Sequence, residues 1–164
     1  MPSWILISIV LVIFCFGFVL LFGAPYLPTL RKQQLQALAL LDLKKGDTLL
    51  ELGCGDGRLL VCAAKKGIKS VGYELNPMVF IVAKIVTFRY RKLARVEYGN
   101  FWHKTWPPAD GIYVFLHTRF MPRLNRYVAN YSKTTSVKLV SYAFEIPGKE
   151  VIKSQDAMYL YDYQ

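Results

Sequence analysis

Eight consecutive residues carry most of the chemical information in this chain: Glu51-Leu52-Gly53-Cys54-Gly55-Asp56-Gly57-Arg58. Glycines at alternate positions let a ligand come close to the backbone, and a helix beginning directly after them presents N–H groups. A dinucleotide fingerprint is spaced G-x-G-x-x-G. Here the spacing is G-x-G-x-G, with Glu51 two residues before the first glycine and Asp56 inside the loop. Two carboxylates repel a pyrophosphate but suit a cationic, hydroxyl-rich ligand, so the loop fits S-adenosylmethionine better than a dinucleotide. A third acid, Glu74, closes Val71-Gly72-Tyr73-Glu74, where a carboxylate can accept hydrogen bonds from both hydroxyls of a ribose. Dinucleotide folds use the same position, so Glu74 alone does not discriminate. Gly99-Asn100-Phe101-Trp102 offers an amide for an adenine edge and aromatic surface for its face, although Phe101 and Trp102 suit core packing equally well.

The elements that must position these residues alternate. Thr48 to Leu52 reads as a short apolar strand, Arg58 to Lys66 as a helix closed by Gly67, and Ser70 to Leu75 as a second strand. Asn76-Pro77 supplies an N-cap followed by a first-turn proline, opening a helix to about Lys92. Ala94 to Tyr98, Gly111 to Leu116 and Val137 to Phe144 are expected strands, with Val151 to Leu160 as closing strands. Strands alternating with helices imply an α/β fold, a mostly parallel sheet covered on both faces. Ahead of it, Arg31 to Leu41 reads as a helix with Leu35, Leu38 and Leu41 on one side. In the helix Arg119 to Tyr131, the residues Phe120, Met121, Leu124, Tyr127, Val128 and Tyr131 fall on one side, and Arg119, Arg123, Arg126 and Asn130 on the other. That basic face is either solvated or in contact with acidic lipid headgroups.

The chain has 164 residues, 21 Lys+Arg against 11 Asp+Glu, and a formal charge of +10. Length allows one ordinary domain, and the aromatic and apolar content excludes disorder for the body of the chain. No charged side chain occurs from Met1 to Ala24. Trp4 to Ala24, apolar all round, would span about 30 Å as a helix, the thickness of a bilayer's hydrocarbon core. A transmembrane anchor over 1–24 is therefore expected, rather than a cleaved signal peptide, which wants a positive n-region and a small-x-small site. Arg31, Lys32, Lys44 and Lys45 follow the span, which orients the N-terminus outside and the domain on the cytoplasmic or matrix side. A linker and leading helix would occupy 25–46 and the catalytic domain 47–164. The apolar run Met78 to Phe88 is too short for a second span and reads as a buried helix. Cys15, Cys54 and Cys62 form neither a disulfide framework nor a metal-ligand spacing. Anionic membrane surfaces suit the positive excess. The same excess could suit nucleic acid, but no RNA-binding module is recognisable and the expected anchor argues against it.

With these elements in place, the chain resembles the class I methyltransferases. More narrowly, it resembles the small membrane-anchored protein-lysine methyltransferases that include the mitochondrial enzymes acting on the adenine nucleotide translocase and on the c-ring protein of ATP synthase, with their bacterial relatives. The likeness rests on ELGCGDGR and VGYELNP, on GNFW from Gly99 to Trp102, and on the phenylalanine, methionine and proline near Phe115 to Pro122. Phe144-Glu145-Ile146-Pro147-Gly148 and Met158-Tyr159-Leu160-Tyr161 extend it, so that it spans residues 25 to 162. The resemblance implies a Rossmann-like sheet and S-adenosylmethionine as cofactor. It implies Glu51, Gly53, Gly55, Asp56 and Gly57 around the methionine part and ribose, Glu74 on the ribose, and Asn100 with Phe101 at the adenine. Asn100 stands where the family usually has an acid. The Asn/Asp-Pro-Pro-Tyr signature of nucleobase and glutamine methyltransferases is absent, with Phe115-Leu116-His117-Thr118 in its place. That absence weakens those two readings without establishing lysine.

Methyl transfer from a sulfonium is an in-line displacement, so positioning can supply most of the catalysis. A lysine nucleophile must also lose a proton, its reference pKa being about 10.4. His117, at the expected carboxyl end of the fourth strand, is the catalytic candidate; its bland alternative, like that of His103, is local hydrogen bonding. Glu145 is a rim acid that could orient an amine. The expected activity is protein-lysine N-methylation of a membrane protein near the bilayer surface. A lipid or quinone methyltransferase, or a tethered cofactor-binding module without turnover, shares the same features.

Overall fold

The alternating pattern becomes a seven-stranded sheet in the computed structural model, which describes residues 2–10, 13 and 30–164. In chain order the elements are α1 (Arg31–Leu41), β1 (Thr48–Leu52), α2 (Arg58–Lys65), β2 (Lys69–Glu74), α3 (Pro77–Thr87), β3 (Ala94–Tyr98), β4 (Gly111–Val114), α4 (Met121–Tyr131), β5 (Val137–Tyr142), β6 (Lys153–Gln155) and β7 (Met158–Tyr163). Single 3₁₀ turns occur at Phe88–Tyr90, Phe101–His103 and Thr118–Phe120. The strand order is β3-β2-β1-β4-β5-β7-β6. Strands β1 to β5 are parallel, and β7 runs antiparallel to both its neighbours.

The period of two along each strand sorts the core into two layers. Leu49, Tyr113 and Val140 face the side covered by Ala37, Leu38 and Leu41 of α1 and by Leu59 and Ala63 of α2. Leu50, Leu52, Ile112, Val114 and Leu139 face the other side, under Met121, Leu124 and Val128 of α4. Because β1 to β5 are parallel, their carboxyl ends share one rim. Chain leaving β1 turns to β2 on one side while β4 borders it on the other, which is the switch point where open α/β sheets hold ligands.

Several boundaries differ from the sequence reading, each for a local reason. Leu35 is exposed; the buried stripe of α1 runs through Gln34, Ala37, Leu38 and Leu41. Polar residues hold α1 in place: Gln33 Nε2 donates to the Tyr142 hydroxyl, and Gln36 Nε2 donates to the Gln155 carbonyl (3.0 Å). Asn76 caps α3 as expected, its Oδ1 accepting from the N–H of Met78 (2.9 Å) and Val79 (3.3 Å). The helix ends at Thr87 and not near Lys92; the Thr87 hydroxyl donates back to the Ala83 carbonyl (2.7 Å) and the chain tightens into a 3₁₀ turn. Strand β5 stops at Tyr142 because Ala143 takes a positive φ (+68°), so Glu145 lies beyond the strand.

The expectation that the run Met78 to Phe88 is buried holds for only three of its residues. Val79, Ala83 and Thr87 point inward, while Met78, Ile81, Val82, Ile85 and Phe88 face outward. Most of the expected span Trp4 to Ala24 lies outside the described residues; residues 3–10 are helical. Among the described residues no helix is long and apolar enough to cross a membrane.

Close packing constrains one glycine of β2. A Cβ on Gly72 would sit 2.6 Å from the Cys54 Cβ and 2.8 Å from the Leu60 Cδ1. Gly72→Ala is therefore expected to destabilise the fold by about 1 to 3 kcal/mol through overpacking. Thermal unfolding should show a midpoint several degrees below wild type; an unchanged midpoint would contradict the packing described.

Candidate functional site

The glycine loop bends because Gly53 (φ +87°), Gly55 (φ +53°) and Gly57 (φ +76°) all take left-handed conformations. They serve different ends. A Cβ on Gly53 would meet nothing within 4 Å, so this side of the loop is open to a ligand. A Cβ on Gly57 would come within 2.9 Å of the Thr87 Cγ2, so this glycine lets α2 and α3 approach.

Backbone and carboxylate bonds lock the loop to β2. The N–H groups of Gly53 (3.1 Å) and Cys54 (2.8 Å) both donate to the Tyr73 carbonyl. Glu74 Oε2 accepts from the Gly55 N–H (2.9 Å), and its Oε1 accepts from the Asn76 N–H (2.7 Å). One buried carboxylate thus joins the loop, the end of β2 and the start of α3. A carboxylate has about four lone-pair positions, so these bonds do not exhaust its capacity to accept from a ligand. The Gly99 N–H donates to the Glu74 carbonyl (2.8 Å), which brings Asn100 to the same rim.

Three acids meet at this loop, and their environments separate them. Asp56 is held by Arg58, whose Nε donates to both carboxylate oxygens (2.9 and 2.8 Å) and whose Nη2 donates to Oδ2. Glu51 is 4% exposed, and its Oε2 has no hydrogen-bond partner. Burial, then repulsion from Asp56 and Glu74, pushes its carboxyl well above the usual range. Glu74 is also raised by burial, with the N–H groups of Asn76, Gly55 and Leu75 opposing the shift. Burial, reinforced by Glu51 and Glu74, keeps the Cys54 thiol protonated and therefore unreactive. A buried acceptor without a partner, beside an open glycine face, is suited to a ligand that brings a cation or N–H donors. The residues present therefore fit the ammonium and ribose of S-adenosylmethionine.

The remaining expected residues divide. Asn100 Oδ1 caps the 3₁₀ turn by accepting from the Trp102 N–H (3.1 Å), which commits its oxygen and leaves its amide N–H₂ as the group it offers. Phe101 sends its ring into the core, against Trp102 (4.6 Å between centroids) and Trp106 (6.4 Å). The core-packing alternative describes that side chain. His117 is exposed and lies three residues beyond β4, which ends at Val114 and not near Leu116 as expected; it caps the turn Thr118–Phe120, its Nδ1 accepting from the Arg119 N–H (3.3 Å). In that arrangement the neutral ring carries its proton on Nε2, as a donor. Its ring lies 5.8 Å from Phe144, which stacks on Phe115. Glu145 and His103 are exposed, and no group of metal-ligating side chains occurs among the described residues.

Sequence reasoning missed Arg58. The signal was present, an acid and an arginine two residues apart at a helix start. Of the basic face of α4, given as solvated or lipid-facing, Arg119, Arg126 and Asn130 are exposed, while Arg123 lies over the rings of Trp102 (4.4 Å) and Tyr127 (5.5 Å).

Comparison with known proteins now bears on this geometry. The family described as ANTKMT methyltransferase domain matches residues 51–153, from the buried glutamate to the start of β6. The chain belongs to that family. Among similar proteins, a protein-lysine N-methyltransferase of Saccharolobus islandicus is 33% identical over 149 residues, covering 84% of this chain and 92% of its own. A Mus musculus relative, the lysine N-methyltransferase of the ATP synthase C-subunit, is 30% identical over 104 residues, 62% of this chain but 42% of the mouse protein. The match to the animal relatives thus takes in about half of their length. In fold, this chain is similar to an RNA methyltransferase from Salinibacter ruber solved with S-adenosyl-L-homocysteine. That likeness has a TM-score of 0.73 and 20% identity, and it covers 84% of this chain and 92% of that one.

The raised Glu51 carboxyl has a stability consequence. The folded chain keeps a proton that the unfolded chain releases, so stability falls as pH rises from about 4.5 toward the folded-state value. Replacing the carboxyl with an amide removes this dependence. Glu51→Gln should unfold at a higher temperature than wild type at neutral pH, with the difference vanishing near pH 4.5. A gap that does not change with pH would contradict the assignment.

Proposed function

We propose that this chain is an S-adenosylmethionine-dependent protein-lysine N-methyltransferase whose substrate is a membrane protein. The observation that carries the cofactor is the unpartnered, buried Glu51 oxygen beneath an open glycine loop. The lysine reading is supported by the near full-length similarity to a named protein-lysine N-methyltransferase. When bound, the cofactor supplies an activated methyl group.

On this reading Glu51 accepts from the ammonium of the methionine part, and a proton leaves its carboxyl as that cation arrives. Glu74 offers its remaining lone pairs to the ribose hydroxyls while its backbone bonds hold the loop in shape. Gly53, Gly55 and Gly57 give the ligand access, and Asp56, paired with Arg58, holds the start of α2. Asn100 presents its amide N–H₂, and Phe101 its backbone, toward the adenine. His117, capping the turn after β4, positions the substrate amine. The uncharged N-terminal stretch 1–24 anchors the chain, with the domain on the cytoplasmic or matrix side.

Calorimetric titration of S-adenosylmethionine should show binding, weakened tenfold or more by Glu51→Gln and by Glu74→Ala, a loss of at least about 1.4 kcal/mol in each case. The wild-type binding enthalpy should vary with the ionisation enthalpy of the buffer, because Glu51 gives up a proton, and this variation should shrink in Glu51→Gln. Normal affinity in both variants would remove the site assignment.

Substrate class is tested with membranes, the full chain and methyl-labelled cofactor, followed by separation of lipid from protein. Label in protein, recovered as methyl-lysine, is the expected result, and His117→Ala should lower kcat with cofactor affinity unchanged. Label confined to lipid would replace lysine with a lipid acceptor. Cofactor binding without any label would make the chain a binding module.

A further inference from the structure

Helix α3 is apolar on two opposite sides, and the core uses only one of them. Val79, Ala83 and Thr87 pack inward, near the face of Gly57 and the side chains of β3. On the outer side Met78 (45% exposed), Ile81 (57%), Val82 (47%) and Ile85 (71%) follow the spacing i, i+3, i+4, i+7, a single stripe along the helix. Phe88, 64% exposed in the next turn, extends it. The stripe leaves on the order of 500 Å² of apolar surface in water, toward the upper end of the largest patch on an ordinary monomer.

The charges around the stripe are of one sign. From Leu75 to Val96 the chain carries Lys84, Arg89, Arg91, Lys92 and Arg95 and no Asp or Glu. Arg95 is paired with Glu97 (3.0 Å). Lys84 lies within α3, and Arg89, Arg91 and Lys92 cluster just beyond its carboxyl end. The Arg91 guanidinium sits 4.7 Å from the centre of the exposed Phe88 ring, putting a cation and an aromatic at one level.

We propose that the outer face of α3 is a docking surface for an anionic lipid bilayer. Apolar side chains bordered by cations, with no acids between them, match acyl chains lying beneath negative headgroups. A second copy of this chain docking through the same face would bring Lys84 and the Arg89 to Lys92 clusters together, and like charges facing each other oppose such a contact. Eleven residues are too few to cross a bilayer, so the helix lies in the interface. The surface is distinct from the N-terminal stretch and from the cofactor loop, yet α3 begins three residues after Glu74. A bilayer covering the stripe therefore adjoins the ligand rim. Neither methyl transfer nor lysine specificity is needed for this inference.

The test places a photoreactive p-benzoylphenylalanine at Ile85 in the full chain, with Ile81 as a second position and exposed Thr134, beyond α4 on the opposite layer, as background. Vesicles of phosphatidylcholine with about 30% phosphatidylglycerol, and of phosphatidylcholine alone, are irradiated with each protein, and adducts are identified by mass spectrometry. Lipid adducts at residues 85 and 81 but not at 134, several-fold more abundant with the anionic lipid, are expected. Replacing Arg89, Arg91 and Lys92 together with Gln should lower the yield, since each nearby cation is worth about fivefold in binding to such a surface. Adducts to residues 1–29 of the same chain, cross-linked dimers, or no adduct above the residue 134 background would each overturn the proposal. So would equal yields with and without anionic lipid.

Discussion

The carboxylate of Glu74 ties together three segments that are distant in sequence. One oxygen holds the Gly55 N–H and the other holds the Asn76 N–H, while the residue's own carbonyl takes the Gly99 N–H. The glycine loop, the cap of α3 and the turn after β3 are therefore placed by a single side chain and its peptide. The arrangement depends on the parallel sheet. Only when β1, β2 and β3 run in one direction do their carboxyl ends, and so these three segments, meet on one rim.

Charge is placed at this rim at some cost to stability. Three acids lie close together, and one of them, Asp56, is balanced locally by Arg58. Glu51 has no such balance, and its buried oxygen lacks a partner. An apolar residue there would be easier to bury. A site that takes a cationic ligand needs an acceptor that the protein itself leaves unsatisfied, and strain of this kind is commonly concentrated at functional positions. The surrounding aromatic packing supports the loop that carries Asn100. The hydroxyls of Tyr127 and Tyr131 donate to the carbonyls of Trp102 and Pro107, and the Trp106 Nε1 donates to the Phe101 carbonyl.

Much of this was legible in the residues. The strand and helix alternation, the Asn76-Pro77 start of α3 and the cluster of acids near the glycines all follow from local rules, namely side-chain periodicity, capping and the conformational freedom of glycine. The errors were equally local in kind. Leu35 looked like a buried position because leucines at spacings of three suggest one stripe, yet the docked side of α1 includes the buried Gln34, with Gln33 and Gln36 bonding to Tyr142 of β5 and Gln155 of β6. Phe101 suited a ligand surface and core packing equally well, and its ring went into the aromatic cluster under α4. The outer face of α3 looked buried because composition alone cannot count how many neighbours a helix will have.

Sequence by itself determined the fold class, the family and the chemical character of the loop, because these depend on residue type and on spacings within a few residues. Tertiary structure decided which of three acids is neutralised, which is left buried without a partner, and which apolar helix face is left exposed among the described residues. Those outcomes depend on distances between segments that are remote in the chain. A carboxyl's charge state and a side chain's exposure are set by everything within a few ångströms of it, and a linear sequence does not contain that neighbourhood.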